Sequence, residues 1–302
     1  MVKNRWIYAP SFASATIENN DLNDGRGVEL TNWSGGANDT VKFRYNKIRN
    51  SDGRTSNGAG YDNTFDISTG LGVTFQMGES RGIANVEIAW NEIINTPGQS
   101  AIEDNFSFWM SEGASPTSRI YIHDNFVQGS WRPNPLDTDS TGTGFNSGDA
   151  DGSGSHSNAG LGNILNENNV ATGISNLCFG LSYGHDITVQ HNRCVVSGLA
   201  DWDAGPGTDI RQIGQPSYGG GYNDWNSSNT AGFTNNSVRD NVSAYWNRGT
   251  NVRNDYWLPD CSGVCTGNTS LKAGQAITYQ DEINEHDMYL SRVAAAGVHI
   301  GR

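Results

Sequence analysis

Residues 198–214, GLADWDAGPGTDIRQIG, combine several carboxylates with an aromatic ring and a guanidinium group. Glycoside hydrolysis needs one carboxylic acid to protonate the leaving oxygen and one carboxylate to activate water, and an aromatic ring can stack on the sugar. If the segment is extended, Asp201 and Asp203 face the same way about 7 Å apart, which suits inverting hydrolysis. The segment also suits an Asx-turn loop whose carboxylates accept hydrogen bonds from backbone amides. The candidate catalytic residues here are Asp201, Asp203, Asp209 and Arg211, beside Trp202 as a sugar platform.

A second acidic segment lies within the polar, glycine-rich stretch at residues 130–162, which we expect to be a loop insertion. Its residues Asp149, Asp151 and Ser153 alternate with small residues, as in the opening of a calcium-binding loop. A full EF-hand loop carries Glu at its twelfth position, which here is Gly160. The segment therefore indicates either a calcium site or a solvated loop.

Aromatic residues are numerous, with 9 Trp and 11 Tyr, and several lie in or near predicted loops. Such rings suit carbohydrate binding, because the CH face of a pyranose is apolar whereas its hydroxyls need polar partners. The alternative is that the rings cover the ends of the core. The candidate substrate-binding residues are Trp131, Tyr183, Trp202 and Trp225.

The formal net charge of −13 limits the possible partners. Nucleic-acid binding needs clustered Lys and Arg side chains, and the sequence contains no such cluster. A strongly acidic chain also repels anionic substrates, so a neutral glycan fits better than a polyuronate unless His185, Arg211 and calcium neutralise the substrate. No apolar run reaches the roughly 18 residues of a membrane span. We therefore expect a polysaccharide partner, no nucleic-acid partner and no membrane span.

The scaffold for these residues is indicated by a repeated phrase, in which alternating apolar residues are followed by Asn. VKFRYN at residues 41–46 and ITVQHN at residues 187–192 are two copies. The spacings of the clear copies fit one, two, one and three turns of a coil of roughly 22 to 26 residues, which is a solenoid period. The clear copies end on Asn20, Asn46, Asn91, Asn125 and Asn192, and weaker copies surround Asn169, Asn236 and Asn241.

Each phrase predicts a short strand with one buried face, since apolar residues such as Val86, Ile88 and Trp90 alternate with polar ones. Stacked coils place each strand parallel to its counterpart in the next coil, ~4.8 Å away. The Asn at each bend can then exchange hydrogen bonds with the Asn above and below, and can tolerate unusual backbone dihedral angles. We expect these side chains to hold the bends and to do no chemistry.

With these phrases, and with YGHDITVQHN at residues 183–192, roughly residues 12–257 resemble the pectin-lyase-like superfamily of PbH1-repeat proteins. The resemblance implies an all-β fold, a single-stranded right-handed parallel β-helix. That superfamily includes lyases, glycoside hydrolases, epimerases, tailspikes and adhesins, so the resemblance predicts the fold and not the function.

A weaker resemblance concerns family 28 glycoside hydrolases, which carry Asn-Thr-Asp, Asp-Asp, Gly-His-Gly and Arg-Ile-Lys motifs in this order. It implies that Asp149 or Asp151 is the general acid and that His185 orients the site. The alternative for His185 is a turn residue ahead of the following strand. The matching segments are Asp137-Thr138-Asp139, Asp149 with Asp151, Gly184-His185, and Ile210-Arg211.

The four cysteines form two local pairs, Cys178 with Cys194 and Cys261 with Cys265. Both pairs suit disulfides in an oxidising compartment, and the alternative is four reduced thiols. A zinc site is disfavoured because Cys261 and Cys265 have no matching His or Cys pair nearby in the sequence.

The domain organisation follows from these patterns. Residues 1–280 are predicted to form the β-helix domain, and residues 281–302 a C-terminal capping helix and tail, with the amphipathic helix at 281–298 closing the end of the coil. The N-terminal residues lack a secretory signal pattern. We expect an extracellular or cell-surface protein that cleaves a polysaccharide in a groove along the solenoid, by hydrolysis or elimination. The alternative is a non-catalytic β-solenoid that acts as a glycan-binding, adhesin-like or structural module.

Overall fold

The computed structural model describes most of the chain. Side chains are described throughout except at Trp6, at Asp201 and at residues 210–212, where only the backbone is described. The described residues are 6–54, 72–135, 142–149, 161–201, 210–212, 220–224, 232–248 and 250–302.

The chain winds through successive rungs, and each complete rung contributes one strand to each of three sheets. The strands of the first four rungs, three to a rung, are β1 (Trp6–Ala9), β2 (Ala15–Glu18), β3 (Asp21–Asn23), β4 (Gly27–Thr31), β5 (Val41–Arg44), β6 (Lys47–Arg49), β7 (Val73–Gly78), β8 (Val86–Ala89), β9 (Glu92–Ile94), β10 (Asp104–Trp109), β11 (Ile120–His123) and β12 (Phe126–Ser130).

The later rungs follow the same order, with a hairpin inserted after the sixth rung and a shorter last rung. Their strands are β13 (Thr143–Asp149), β14 (Gly162–Glu167), β15 (Val170–Ile174), β16 (Leu177–Leu181), β17 (His185–Gln190), β18 (Arg193–Val196), the hairpin strands β19 (Leu199–Asp201) and β20 (Ile210–Gln212), then β21 (Gly220–Asp224), β22 (Ser237–Arg239), β23 (Val242–Asn247), β24 (Val252–Arg253), β25 (Tyr256–Trp257) and β26 (Thr269–Ser270).

The three sheets confirm the predicted parallel β-helix. The first sheet has the order β1-β4-β7-β10-β13-β16-β21-β25, the second β2-β5-β8-β11-β14-β17-β22, and the third runs from β3 to β23 with β26 beside β23. Between named strands of the described part of the chain, only the β19–β20 and β23–β24 pairings are antiparallel. No helix among the described residues is long and apolar enough to cross a lipid bilayer.

The repeated Asn residues form one ladder along the bend between the second and third sheets, as predicted. The Nδ2 of Asn46 donates to Oδ1 of Asn91 at 2.9 Å, and Asn91 donates in the same way to Asn125 at 2.8 Å. Each buried amide is thereby satisfied by the next rung, which is what a buried polar side chain requires. The members are Asn20, Asn46, Asn91, Asn125, Asn169, Asn192, Asn241 and Asn268.

Two of the predicted turn counts are wrong. Asn46 and Asn91 occupy adjacent rungs, so they are one turn apart and not two. Asn125 and Asn192 are two turns apart and not three, because Asn169 lies between them. The rungs differ in length from 23 to 49 residues between successive ladder positions, and a fixed period cannot count turns of such unequal length.

The unusual dihedral angles at this bend belong to the residue before each ladder Asn, not to the Asn itself. Tyr45, Trp90, Asp124 and His191 all have φ between 54° and 58°, in the left-handed region. This backbone conformation raises the free energy of residues other than Gly, Asn and Asp. The hydrogen bonds of the inward-facing Asn that follows it offset this cost and hold the bend.

The interior is organised around a stack of aromatic rings contributed by the first sheet. Phe106, Phe145, Phe179, Tyr222 and Tyr256 are aligned in successive rungs, with ring centroids 5.0, 5.0, 4.8 and 5.1 Å apart. These distances match the spacing between strands, because the parallel register places the rings directly above one another. The stack therefore fixes which face of each first-sheet strand points outward.

Strand β13 lies within residues 130–162, where the sequence indicated a loop insertion. Phe145 supplies the apolar residue that faces the core, while the flanking glycines make close backbone contact. A Cβ on Gly148 would lie 2.1 Å from the carbonyl oxygen of Tyr183, so the glycine permits the adjacent rung to approach. A glycine-rich composition here reflects tight stacking in a strand.

The C-terminal helix α1 (Tyr279–Ala296) is present near the predicted range. It lies alongside the third sheet rather than across the end of the coil. Glu282 contacts Ser197 in the sixth rung, whereas the Tyr289 hydroxyl donates to the carbonyl of Asn91 at 3.2 Å in the third. Tyr289 packs on the outward-facing residues Phe126 and Val170, and this apolar strip explains why the helix covers the side of the sheet.

Both predicted disulfides are present. Cys178 and Cys194 join β16 to β18 inside the sixth rung, with a Cα–Cα distance of 6.0 Å and no exposed surface. Cys261 and Cys265 are joined after the last first-sheet strand, with a Cα–Cα distance of 6.2 Å. The first bond connects two sheets across the core, and the second closes a short surface loop.

Candidate functional site

A row of outward-facing positions runs along the first sheet, one from each of its strands. Because the inward neighbours form the aromatic stack, the alternation of a strand turns these residues away from the core. Ser107 and Asn223 are nevertheless buried, at 4% and 1% exposure. At ~4.8 Å per strand the row is about 34 Å long. Its two terminal rings, Tyr8 and Trp257, are 48% and 47% exposed. The row, called the first-sheet row below, is Tyr8, Glu29, Gln76, Ser107, Asn146, Gly180, Asn223 and Trp257.

Two carboxylates meet at the middle of the first-sheet row. Asp104 begins β10, and Asp149 ends the neighbouring strand β13. The Nδ2 of Asn146, a member of the row, donates to Oδ2 of Asp104 at 3.3 Å and to Oδ2 of Asp149 at 3.1 Å. One amide nitrogen therefore bridges the two carboxylates.

Burial gives the Asp104 carboxyl unusual acid–base properties. The side chain is only 5% exposed, and this burial, reinforced by the negative charge of Asp149, raises the pKa of Asp104 to about 7. Hydrogen bonds from Asn146 and Thr143 act in the opposite direction and are outweighed. Asp104 therefore exists in both protonated and ionised forms near neutral pH, as a general acid or base requires.

Glu103 adds a third acid to this group. Burial, reinforced by the charges of Asp104 and Asp149 and opposed by Arg132, raises the pKa of Glu103 to about 8. Like charges in one desolvated site cannot all ionise together, so the group keeps at least one proton at neutral pH. The group of Glu103, Asp104 and Asp149 with Asn146 is called the carboxylate cluster below.

A histidine lies at the bend next to the carboxylate cluster. The Ser182 hydroxyl contacts Oδ1 of Asp149 at 3.4 Å, and His185 follows three residues later at the start of β17. His185 is held between two carboxylates, with Nδ1 2.7 Å from Oδ2 of Asp186 and Nε2 3.3 Å from Oε1 of Glu112. Burial alone would raise the pKa of Asp186, but the hydrogen bonds from His185 and Asn235 outweigh it and lower that pKa.

The structure brings two of the predicted site residues, Asp149 and His185, to the same bend, between the first and second sheets. Asp201 and Arg211 lie on the β19–β20 hairpin, which follows the third sheet and precedes the first. That hairpin enters the first sheet at the opposite ends of its strands from His185. The structure therefore does not bring Asp201 and His185 together. Asp151, Ser153, Trp202, Asp203, Asp209 and Trp225 lie outside the described residues.

Two predicted substrate-binding rings are buried in the structure. Trp131 is 2% exposed, and its Nε1 donates to the carbonyl of Asn95 at 2.7 Å. Tyr183 is 8% exposed and packs on Met110 and Leu161. Neither ring offers a face to a sugar, because the stacked rungs use both as packing residues.

Glu103, Asp104 and Glu112 were not predicted as site residues, because catalytic residues were expected only in loops. These three acids lie in or close to strand β10 (Asp104–Trp109). A signal was present in EDNFSFW at residues 103–109, where Phe106 and Phe108 alternate with polar residues. That alternation predicts a strand with one face in the core and one outside. Glu103 precedes this strand, whereas Asp104 has the same parity as Phe106 and Phe108, so the alternation predicts the strand but not an outward position for Asp104.

Comparisons with family models, curated proteins and solved structures found no match to this chain. The candidate function therefore rests on the geometry of the first-sheet row and the carboxylate cluster.

Proposed function

We propose that the protein is an extracellular or cell-surface glycoside hydrolase that cleaves a polysaccharide bound along the first-sheet row. The observation that carries this proposal is the bridging of Asp104 and Asp149 by the single amide of Asn146. In glycoside hydrolysis one carboxyl group protonates the departing oxygen and the other acts on the opposite side of the sugar.

The environments of the two acids suggest their roles. Asp104 is buried and has its pKa raised to about 7, so it supplies the proton to the glycosidic oxygen. Asp149 is partly exposed and accepts hydrogen bonds from Asn146 and Ser182, so we assign it the role of the carboxylate. His185 lies at the bend beyond the Asp149 end of the cluster and orients substrate there.

The shape and chemistry of the row indicate the type of substrate. The row has one position per rung and extends for about 34 Å, long enough to bind several consecutive sugar units. The partly exposed amide side chains of Gln76 and Asn146 match sugar hydroxyls, and Tyr8 and Trp257 offer rings at the ends. Because the carboxylate cluster lies mid-row, the polymer occupies both sides of it and is cleaved internally. The charge of −13 favours a neutral polymer over a polyuronate.

A polysaccharide panel tests this proposal. We expect new reducing ends from a neutral polymer and no absorbance from unsaturated uronate, which elimination would produce. The Asp104→Asn variant should lose activity by at least about 100-fold, the usual contribution of a general acid. Asp287→Asn, an exposed change on α1, should retain full activity.

Parallel reactions with calcium and with a chelator test the calcium site expected at Asp149.

The second candidate function is a non-catalytic glycan-binding module, which the exposed rings and amides of the first-sheet row would equally serve. A binding module should bind a polysaccharide without producing new reducing ends or unsaturated uronate. Binding that persists unchanged in Asp104→Asn, with no cleavage by the unaltered protein in any reaction, would favour this module and contradict the hydrolase.

A further inference from the structure

The last rung contains a compact group of metal-binding residue types that is separate from the carboxylate cluster. Asp224 ends β21, and Cys261 and Cys265 lie in the loop after β25. One ligand atom from each of these three residues lies within 4.8 Å of the other two. This is the single such group of three or more among the described residues. The sequence disfavoured zinc here because Cys261 and Cys265 have no matching His or Cys pair nearby, and Asp224 joins them only through the stacking of rungs.

The Asp224 carboxylate is incompletely satisfied. Its side chain has no exposed surface, and Oδ1 accepts one hydrogen bond from the backbone N–H of Asp260 at 3.3 Å. Oδ2 faces the Sγ of Cys265 at 3.9 Å. A disulfide sulfur carries no hydrogen, so it cannot donate to this oxygen, and the described residues provide no other donor to it. A buried carboxylate oxygen aimed at two sulfurs is costly without a proton or a cation.

We propose that reduction of the Cys261–Cys265 disulfide opens a site for a thiophilic divalent cation, zinc, with Cys261, Cys265 and Asp224 as its ligands. Two thiolates and one carboxylate are a ligand set that zinc accepts, and a water molecule completes a tetrahedron. The fourth position is accessible because Cys261 is exposed.

The distances suit this assignment. Zinc binds thiolate sulfur at about 2.3 Å and carboxylate oxygen at about 2.0 Å, so neighbouring ligands of a tetrahedron are roughly 3.5 Å apart. The Cys265 Sγ to Asp224 Oδ2 distance of 3.9 Å is already close to that value. The two sulfurs must separate to roughly 3.8 Å, which side-chain rotation can supply across the three-residue loop around Gly263.

The chemistry balances with a dithiol as the reductant. The dithiol gives two electrons and two protons, the bond between the two cysteine sulfurs breaks, and the dithiol itself becomes a disulfide. Zinc then displaces one proton from each new thiol to the solvent and binds the two thiolates with the Asp224 carboxylate. The exposed Cys261 admits the reductant, whereas Cys178 and Cys194 have no exposed surface and remain joined.

Metal titration of the full chain tests the site. The protein is treated with a dithiol under mild conditions, the reductant is removed without oxygen, and two free thiols per chain are counted to show that the core disulfide is intact. Cobalt(II) should then produce a thiolate-to-cobalt charge-transfer absorption with an intensity for two sulfur ligands, and zinc should abolish it at one equivalent. The oxidised protein should produce no such absorption.

Variants separate the ligands from their surroundings. Asp224→Asn should weaken zinc binding at least about tenfold, and Cys261→Ser should leave the absorption of one sulfur ligand. Asp240→Asn changes an exposed carboxylate of the same end of the solenoid and should bind zinc normally. Near-ultraviolet circular dichroism confirms that each reduced variant is folded. Equal zinc affinity in the reduced and oxidised proteins, an unchanged affinity in folded Asp224→Asn, or two free thiols without cobalt absorption would each overturn the proposal.

Discussion

The buried Asp104 carboxyl lowers the free energy of unfolding at neutral pH, although it is the proposed general acid of the carboxylate cluster. Its pKa is about 7 in the folded protein against an ordinary value of 3.8. Between these values the folded state binds more protons at this group than the unfolded state does. The free energy of unfolding therefore falls as the pH rises from about 4 to about 7, since the buried carboxyl must ionise at a cost. Glu103 acts in the same direction at slightly higher pH.

Replacing Asp104 should therefore stabilise the protein at neutral and alkaline pH. We expect Asp104→Asn to raise the free energy of unfolding by ~1–2 kcal/mol at about pH 8, and to change it little at about pH 5, where the acid is already protonated. Urea unfolding at both pH values measures the difference. Asp287→Asn is the matched control, because its exposed side chain should give no such difference. A loss of stability at about pH 8 would show that the Asp104 charge is well compensated.

At the scale of elements, the Asn ladder holds the bend between the second and third sheets. Asn125 accepts hydrogen bonds from the backbone N–H and the Nδ2 of Asn91, and donates to the carbonyl of Ile88 and to Asn169. All of these groups are buried, so a missing partner leaves them unsatisfied.

Asn125→Ala should lower the free energy of unfolding by about 2–4 kcal/mol, because several buried donors and acceptors lose their partners at once. Asn20→Ala is the matched control at the end of the ladder. No donor among the described residues bonds to the Asn20 side chain, which is partly exposed, so this change should cost less than half as much. Chemical denaturation measures both. Equal losses in the two variants would contradict a cooperative ladder.

Helix α1 is attached to the third sheet by three buried side chains, those of Glu282, Glu285 and Tyr289. Tyr289 is 1% exposed, packs on Phe126 with ring centroids 5.3 Å apart, and bonds to the Asn91 carbonyl. Tyr289→Ala should reduce stability by about 3–5 kcal/mol, the usual cost of truncating a buried aromatic residue. The neighbouring Leu290 is 41% exposed, so Leu290→Ala should cost less than about 1 kcal/mol.

Hydrogen exchange of the helix amides distinguishes local undocking from global unfolding in these variants. We expect faster exchange throughout α1 in Tyr289→Ala, with protection of the second sheet retained, because Tyr289 packs on residues of the third sheet. Unchanged exchange in α1 would show that other contacts, such as the Arg193–Glu285 ion pair, suffice to hold it.

At the scale of the whole molecule, the sequence predicts what depends on local repetition. The Asn phrases identified the strands beside them, the bend they occupy and the parallel stacking of rungs. Helix α1 and both disulfides were also predictable, because amphipathic periodicity and short cysteine spacings are local signals. The side on which α1 docks was not predictable, since it depends on apolar residues such as Phe126 that face outward from the third sheet.

The carboxylate cluster could not be predicted because it depends on register between rungs. Asp104 and Asp149 are distant in the sequence and meet only when β10 stacks on β13. The connections between strands vary in length from rung to rung, so periodicity alone assigns no partner to either residue. The composition of β13 also hid the strand from prediction, because its glycines are typical of loops. Only the structure shows Phe145 in the aromatic stack. Asp224 and the Cys261–Cys265 loop meet for the same reason.

The most direct test of the account is the pH dependence of polysaccharide cleavage by the unaltered protein and by the Asp104→Asn, Asp149→Asn double variant. We expect a bell-shaped profile with its alkaline limb near pH 7, where Asp104 loses its proton, and no detectable cleavage by the folded double variant. Cleavage at an unchanged rate by the double variant would contradict the assignment of the first-sheet carboxylates as the catalytic pair.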